Sequence, residues 1–383
     1  MTRVPLLDLT REYREIAAEI ERDWSSALQT MQLLGGEQVR RFEEEIASYV
    51  GAPYACGVGS GTDALRLGLA ALGVRPGDRV VLPANAFVAA LEAIHHLGAV
   101  PVLVDTAGDA FGPDLDAIAN ALPAAAVIVV HLYGSPLPLT QLHALCGQHD
   151  AALVEDGSHA PGATRDGRRV GSLGAIGCFS AGVVKNLGAY GDAGFVTTAE
   201  AQVAQRIRHL RHHGQAKKNQ HREYGYNSRL DELQAAVLRI KLRHLDARNQ
   251  RRRAIAAFYH DRFAPLGIRV PREDPDEVCV YHQYVIRTNA RDRLRAHLDA
   301  EGIDTGIHYP VPLHRQDAWR RAYGESPSLP RAERLAAEIL SLPIFPELTD
   351  TEVERVASTV ESFFRSQAYR VTLAQTLADP SNP

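Results

Sequence analysis

The chain has 383 residues, enough to bury a large core and to carry a smaller domain beside a main one. Its 42 basic and 46 acidic residues are well mixed and leave a formal charge of −4, which excludes a net field for nucleic acid or an anionic membrane. Cys56, Cys146, Cys178 and Cys279 are widely spaced without a C-x-x-C pair, so they suggest neither a disulfide framework nor a zinc site. Met1 to Asp8 lack the apolar stretch of a secretory signal, and no run of about 18 apolar residues occurs, so a cytoplasmic location is expected.

In chain order, Val39, Phe42, Ile46 and Tyr49 form one helical stripe that Gly51 and Pro53 stop. Gly57-Val58-Gly59-Ser60-Gly61-Thr62-Asp63 then passes from a glycine-rich turn into a helix with Leu65, Leu69 and Leu72 on its apolar stripe. Apolar β-rich runs at 80–83, 102–104 and 127–130 alternate with helical patterns at 87–97 and 139–148. This βαβ rhythm predicts a parallel sheet, continued by 152–156, 178–180 and 195–197 and ending near residue 198.

Leu230, Leu233, Val237 and Ile240 give one buried face to a long helix predicted over 229–263, which reads as an interdomain spine. Beyond Pro271, a strand at 284–287, a helix at 291–301, an extended 305–310 and two more helical segments make a compact α+β unit. The expected division is a large domain over 1–240 with its N-terminal segment, a small domain over 241–366, and a poorly ordered tail over 367–383.

Two segments carry the chemistry. Lys185 lies on a turn followed by Gly188, Gly191 and Gly194, where backbone can approach a ligand closely. An isolated lysine reads as a surface residue; here its amine can form a Schiff base with an aldehyde cofactor and then carry a proton between substrate and cofactor carbons. Asp156 ends an apolar strand, the place where open α/β sheets put ligands, and can keep a pyridine nitrogen protonated; a turn cap is the competing reading. Together these are what pyridoxal phosphate needs. His159 can reach the ring hydroxyl, although alone it reads as a packed or surface histidine.

Gly61, Thr62 and Asp63 start a helix whose free N–H groups suit a phosphate, with Ser180 adding a hydroxyl, though many Gly-Ser turns bind nothing. Phe87 follows a strand end and can stack on a pyridine ring or serve the core. His209, His212 and His213 lack the spacing of a zinc site, so no metal is expected.

With Pro5-Leu6-Leu7-Asp8-Leu9, Gly59 to Leu65, His131-Leu132-Tyr133-Gly134, Gly225-Tyr226-Asn227-Ser228-Arg229-Leu230-Asp231, Tyr281-His282-Gln283-Tyr284-Val285, His308-Tyr309-Pro310 and Leu342-Pro343-Ile344 added, the chain resembles the DegT/DnrJ/EryC1/StrS sugar aminotransferases. The likeness covers nearly the whole sequence. It implies an α/β, aspartate aminotransferase-like fold (pyridoxal-phosphate fold type I): a mostly parallel sheet flanked by helices, with a smaller C-terminal α+β domain.

The resemblance implies Lys185 as the Schiff-base lysine, Asp156 as pyridine partner, His159 as ring-hydroxyl partner in a place more often held by Gln, and Phe87 as the stacking aromatic. Asn227 matches an asparagine that reaches the cofactor phosphate of the neighbouring subunit, implying a homodimer with shared active sites. The segments around Lys185 and Asn227 look most like enzymes that move an amino group from L-glutamate to C-3 of a nucleotide-linked, dTDP-type keto-deoxysugar in deoxyaminosugar and antibiotic biosynthesis. Pyridoxamine phosphate then links two half-reactions. Lys185 argues against a dehydrating branch that has His there.

One departure stands out. The family usually carries Ser-Phe-Tyr-Pro-Gly before the lysine, whereas Ser180 is followed by Ala181-Gly182-Val183-Val184, a loss of two aromatics expected to reshape the pocket. For a sugar-nucleotide diphosphate, Lys217, Lys218, Arg229, His308 and His314 are candidate cations or donors, and Tyr309 a further contact; for each, a solvated surface position is the competing reading. A 4-keto-sugar or cyclitol ketone aminotransferase would share every cofactor residue. A non-catalytic cofactor-binding partner protein would show no half-reaction with glutamate.

Overall fold

Short runs rich in Val, Ile, Leu and Phe, buried on both faces, form the strands of one large sheet, as a sheet covered by helices on both sides requires. The structure is a computed structural model that describes residues 3–108 and 111–366, so the tail expected at 367–383 lies outside the described residues. The strands are β1 (Tyr54–Val58), β2 (Arg79–Pro83), β3 (Val100–Val104), β4 (Ala126–Val130), β5 (Ala152–Asp156), β6 (Ile176–Ser180) and β7 (Gly194–Thr198). They lie in the order β1-β7-β6-β5-β4-β2-β3.

Strands β2 to β6 pair in parallel, but β7 runs antiparallel to both β1 and β6. The sheet is mostly parallel, as expected from the sequence, and β7 is where it departs from that direction. A parallel pair needs a crossover element, whereas β6 and β7 are joined by the irregular loop 181–193, so the chain simply turns back. That loop carries Lys185.

Helices α1 (Leu9–Thr30) and α2 (Glu37–Val50) precede the sheet, and α3 (Gly61–Ala71), α4 (Val88–His96), α5 (Leu115–Ala121), α6 (Leu139–Gln148) and α7 (Ala201–Leu210) alternate with its strands or follow them. Helix α1 was not anticipated from the sequence. Its buried stripe, Glu12, Ile16 and Ile20, contains a carboxylate and is too thin to show as apolar periodicity; Asp8 caps it by accepting from the Thr10 amide at 3.0 Å.

Helix α8 (Glu232–Phe263) runs for 32 residues through position 240, where the domain division was expected. Its first half buries Val237 and Ile240 against Ile16 and Ile20, and Leu238 in a core with Phe42 and Ile46. Its second half buries Ile255, Tyr259 and Phe263 in a different core, with Leu294, Leu298 and Val356. One helix therefore belongs to both cores.

The second core is built on β8 (Tyr284–Arg287) and β9 (Ile339–Leu342), paired antiparallel, with α9 (Arg291–Ala300) and α12 (Asp350–Arg365), whereas α10 (Asp317–Tyr323) and α11 (Pro330–Glu338) place Trp319 and Leu335 in the core of the large sheet. Val4 joins it through backbone bonds to Gly302 and Asp304, each 2.9 Å, so the N-terminal segment is fastened to this unit. Replacing Phe263 by Ala would cost about 3–5 kcal/mol.

Candidate active site

The carboxyl ends of β2, β4, β5 and β6 and the amino end of α3 define the site, because side chains leaving parallel strands at that edge meet a helix start. Asp156 is the last residue of β5 and is buried; its Oδ1 accepts from the Ser158 amide at 3.0 Å. Ser180 ends β6 and its amide donates to Ser158 Oγ at 2.9 Å, tying the two strand ends together. Lys185 follows, half-buried, its amide closing a turn onto the Gly182 carbonyl at 2.9 Å. Burial pushes the Lys185 amine down to about 8, with the Asp156 carboxylate pulling the other way.

Behind β5 the fully buried Glu155 accepts from the amides of Gly171, Leu173 and Gly174 at 2.7, 3.0 and 2.6 Å. Burial raises its pKa, but His131, 3.2 Å away, and those amides outweigh it and hold the carboxyl below its usual value. This anchors the strand end that presents Asp156.

His159 is buried on the turn after β5. Its Nδ1 accepts from the Tyr133 amide at 3.2 Å, which leaves the ring proton on Nε2. Burial first, then the neighbouring Lys185 and His308, push its pKa well down, so the imidazole is neutral and Nε2–H is a donor.

At α3, the amides of Gly61 and Thr62 in the first turn have no intrahelical acceptor. A Cβ on Gly61 would come within 2.5 Å of the Ser180 Cβ, so only glycine lets that hydroxyl stand against the helix start. Asp63 behaves differently from expectation. Its amide is taken by Ser60 Oγ at 3.1 Å, and its carboxylate by Ser228 Oγ at 2.7 Å and by Arg66, so it braces the turn and offers no free donor. Phe87, the residue before α4, keeps 53% of its surface exposed and faces the Tyr309 ring at 5.4 Å.

The substrate candidates divide. His308 and Tyr309 reach this edge: the Tyr133 hydroxyl donates to the His308 carbonyl, and His308 Nδ1 lies 2.8 Å from Ser341 Oγ. Burial, then Lys185, push His308 down to about 4, so of the two expected roles, cation or donor, the neutral ring suits the donor. His314 is fully buried with Nε2 3.0 Å from Glu333, committed to packing beside α11 and closed to a diphosphate. Arg229 is half-buried, with its carbonyl beside Gly59. Lys217 and Lys218 are exposed on the hairpin 215–221, and Asn227 is exposed just beyond it. Ala181 is packed in the core with Phe179 and Leu187, while Val183 and Val184 are exposed.

A profile described as the DegT/DnrJ/EryC1/StrS aminotransferase family matches residues 14–361. The chain belongs to this family. A dTDP-3-amino-3,4,6-trideoxy-alpha-D-glucose transaminase from Streptomyces venezuelae is 44% identical over 369 residues, covering 94% of this chain and 96% of that protein. The crystal structure of DesV from S. venezuelae with a ketimine intermediate superposes with a TM-score of 0.93 at 43% identity, covering 96% and 100% of the two chains. NtdA from Bacillus subtilis with bound cofactor PMP gives 0.90 at 28% identity, covering 96% and 86%.

This aminotransferase is an α/β enzyme of the pyridoxal-phosphate-dependent class. Its donor set fits that cofactor: a depressed amine for the aldehyde, a buried carboxylate for the pyridine nitrogen, a neutral imidazole N–H for the ring oxygen, and two free amides with a hydroxyl for the phosphate. Among the described residues no helix is long and apolar enough to cross a membrane.

Sequence reasoning missed the groups that hold this aminotransferase's site from behind. Tyr133 supplies the amide for His159 from a backbone at φ 61°, unusual for a non-glycine residue. Asn186, His282, Asn249 and Arg252 are buried polar residues; His282 lies in the Tyr281 to Val285 motif, but only the hydrogen bonds show that the four belong together.

Proposed function

We propose that this enzyme transfers an amino group from L-glutamate to C-3 of a nucleotide-linked keto-deoxysugar, with dTDP as the nucleotide, in deoxyaminosugar biosynthesis. The observation that carries the reading is Lys185, with its depressed amine, set against the Asp156 strand end, in a chain 44% identical to a dTDP-3-amino sugar transaminase.

Bound at this edge, pyridoxal phosphate supplies an electron sink for the bond-breaking at the amino-bearing carbon. Asp156 would hold the pyridine nitrogen in its protonated form, the form able to accept those electrons. The Gly61 and Thr62 amides and the Ser180 hydroxyl would hold the phosphate, and Phe87 would supply the stacking aromatic. Lys185 Nζ, whose pKa lies near working pH, takes the proton from the substrate carbon and returns it on the other side of the transfer.

We further propose a homodimer with shared sites, in the cytoplasm. Asn227 is exposed, and the exposed Leu34 pairs by a backbone bridge with Asp231 in the same segment, beside exposed Leu28 and Met31. Such a cluster of exposed apolar side chains suits a subunit interface. Across it Asn227, Lys217, Lys218 and Arg229 would serve the partner's phosphate and diphosphate groups. The four cysteines are all free and buried, as suits a reducing compartment. Functionally we divide the chain at 240/241, with the small domain closing over the sugar.

Incubation with glutamate and a panel of dTDP- and UDP-linked 3-keto and 4-keto sugars tests the reading. It expects an aminated product from the dTDP-3-keto sugar first. Preference for a 4-keto sugar or a cyclitol ketone would overturn the substrate assignment while keeping the chemistry.

A further inference from the structure

A buried line of polar groups runs behind His159, and the steps above do not use it. Asn249 on α8 donates through Nδ2 to the Pro161 carbonyl at 2.9 Å and accepts at Oδ1 from Asn186 Nδ2 at 3.2 Å. Asn186 Nδ2 also donates to the Val280 carbonyl at 3.3 Å, so its Oδ1 is left as an acceptor. That oxygen lies 3.0 Å from His282 Nδ1, which must therefore carry the ring proton. The His282 ring in turn lies against the His159 ring, with centroids 4.4 Å apart and planes tilted by 42°.

The backbone under this line is held as firmly. Arg252, one turn along α8 from Asn249 and buried, donates to the carbonyls of Tyr281, His282 and Ile344 at 3.3, 3.4 and 2.7 Å. Tyr281 is held at φ 43° and Tyr133 at φ 61°, so the residues that bracket the two imidazoles both occupy a costly left-handed backbone. The charged and titratable groups facing His282 are His159, Lys185, Arg252 and His308, and those facing His159 are Lys185 and His308. Burial leads in both cases and these neighbours add to it, so both rings stay neutral and their tautomers are set by hydrogen bonds alone.

We propose that His282 is a positioning residue for His159: tethered by Asn186 and Asn249, its ring fixes the plane of the His159 imidazole so that Nε2–H donates to the cofactor's ring oxygen. This rests on His159 being the ring-hydroxyl partner. A hydrogen bond donated to that oxygen stabilises its negative charge and weakens the hold on a proton at the lysine-linked nitrogen beside it. Loosening His159 therefore raises the pH at which the visible absorbance of the loaded enzyme changes.

The test is a spectral pH titration of loaded wild type, His282→Ala, His282→Phe, His159→Phe and the double variant H159F/H282F, with the unfolding temperature of each recorded. His282→Ala should raise the midpoint by about one unit, a tenfold change in proton affinity. His282→Phe fills the space without the tether and should shift it the same way by less, so it carries the test if the alanine variant does not fold. On the His159→Phe background the His282 substitution should add nothing. An unchanged midpoint with only a lower unfolding temperature, or a full shift persisting without His159, overturns the proposal. A wild type lacking any Lys185-dependent visible band would instead remove the cofactor reading beneath it.

Discussion

On the sheet side of the site, Asp156 and Ser180 stand at strand ends, Gly61 on a helix start and Lys185 on the loop between β6 and β7, each within a short local motif. On the side facing α8, Asn186 from the loop after β6, His282 from the segment before β8, and Asn249 and Arg252 from α8 meet only through buried hydrogen bonds. The contrast teaches where the two kinds of work are done. The groups proposed to touch the reacting atoms sit where the parallel sheet exposes its carboxyl edge, and those proposed to orient them are tied back to the helix that joins the two cores.

The largest effect should separate the two sides at once. Lys185→Ala is expected to lower transamination by roughly four orders of magnitude or more, since it removes both the covalent attachment and the proton carrier, as single-turnover release of 2-oxoglutarate will measure. Asp156→Ala should follow at about two to three orders of magnitude, with weaker cofactor retention on gel filtration, because the ring loses its protonated nitrogen. If either retained wild-type turnover, the sheet side would not hold the chemistry.

For the far side, Arg252→Met should leave three carbonyls short of a donor and cost about 1–3 kcal/mol in denaturant unfolding, with a much smaller loss in turnover than at Asp156. A loss of turnover equal to that of Asp156→Ala would erase the distinction drawn here. Gly61→Ala probes the junction. Its Cβ would push against Ser180, and roughly tenfold weaker binding of the phosphorylated cofactor is expected, with unphosphorylated pyridoxal affected less.

The smallest effect is on pH. Burial lowers the Lys185 pKa from 10.5 to about 8 in the folded chain, so the unfolded state binds the extra proton between those values. Apoenzyme stability should accordingly rise with pH across that window, and the rate of cofactor capture should rise through about pH 8 and level off. A capture midpoint above 10 would show an amine that burial does not perturb.

The same contrast explains what the sequence disclosed. Lys185 with its glycines, Asp156 at the end of an apolar run and the glycine turn before α3 are local patterns, and the parallel strands follow from runs buried on both faces. Helix α1 escaped because a carboxylate sits in its buried stripe, paired with Lys241 at 2.7 Å across to α8. The reversed β7 escaped because direction depends on a loop having no crossover helix. The partners that hold Asp63 and His314, Ser228 and Glu333, are tertiary neighbours that spacing does not indicate. His282 lay within a quoted motif, but its tether to Asn249 exists only once α8 is packed.

The most direct check on the assignment of Lys185 is borohydride reduction of the loaded enzyme followed by peptide mass mapping. One cofactor-sized adduct per chain is expected, on the peptide containing Lys185, and none after pretreatment with glutamate. An adduct on another lysine, or one that glutamate does not prevent, would contradict it.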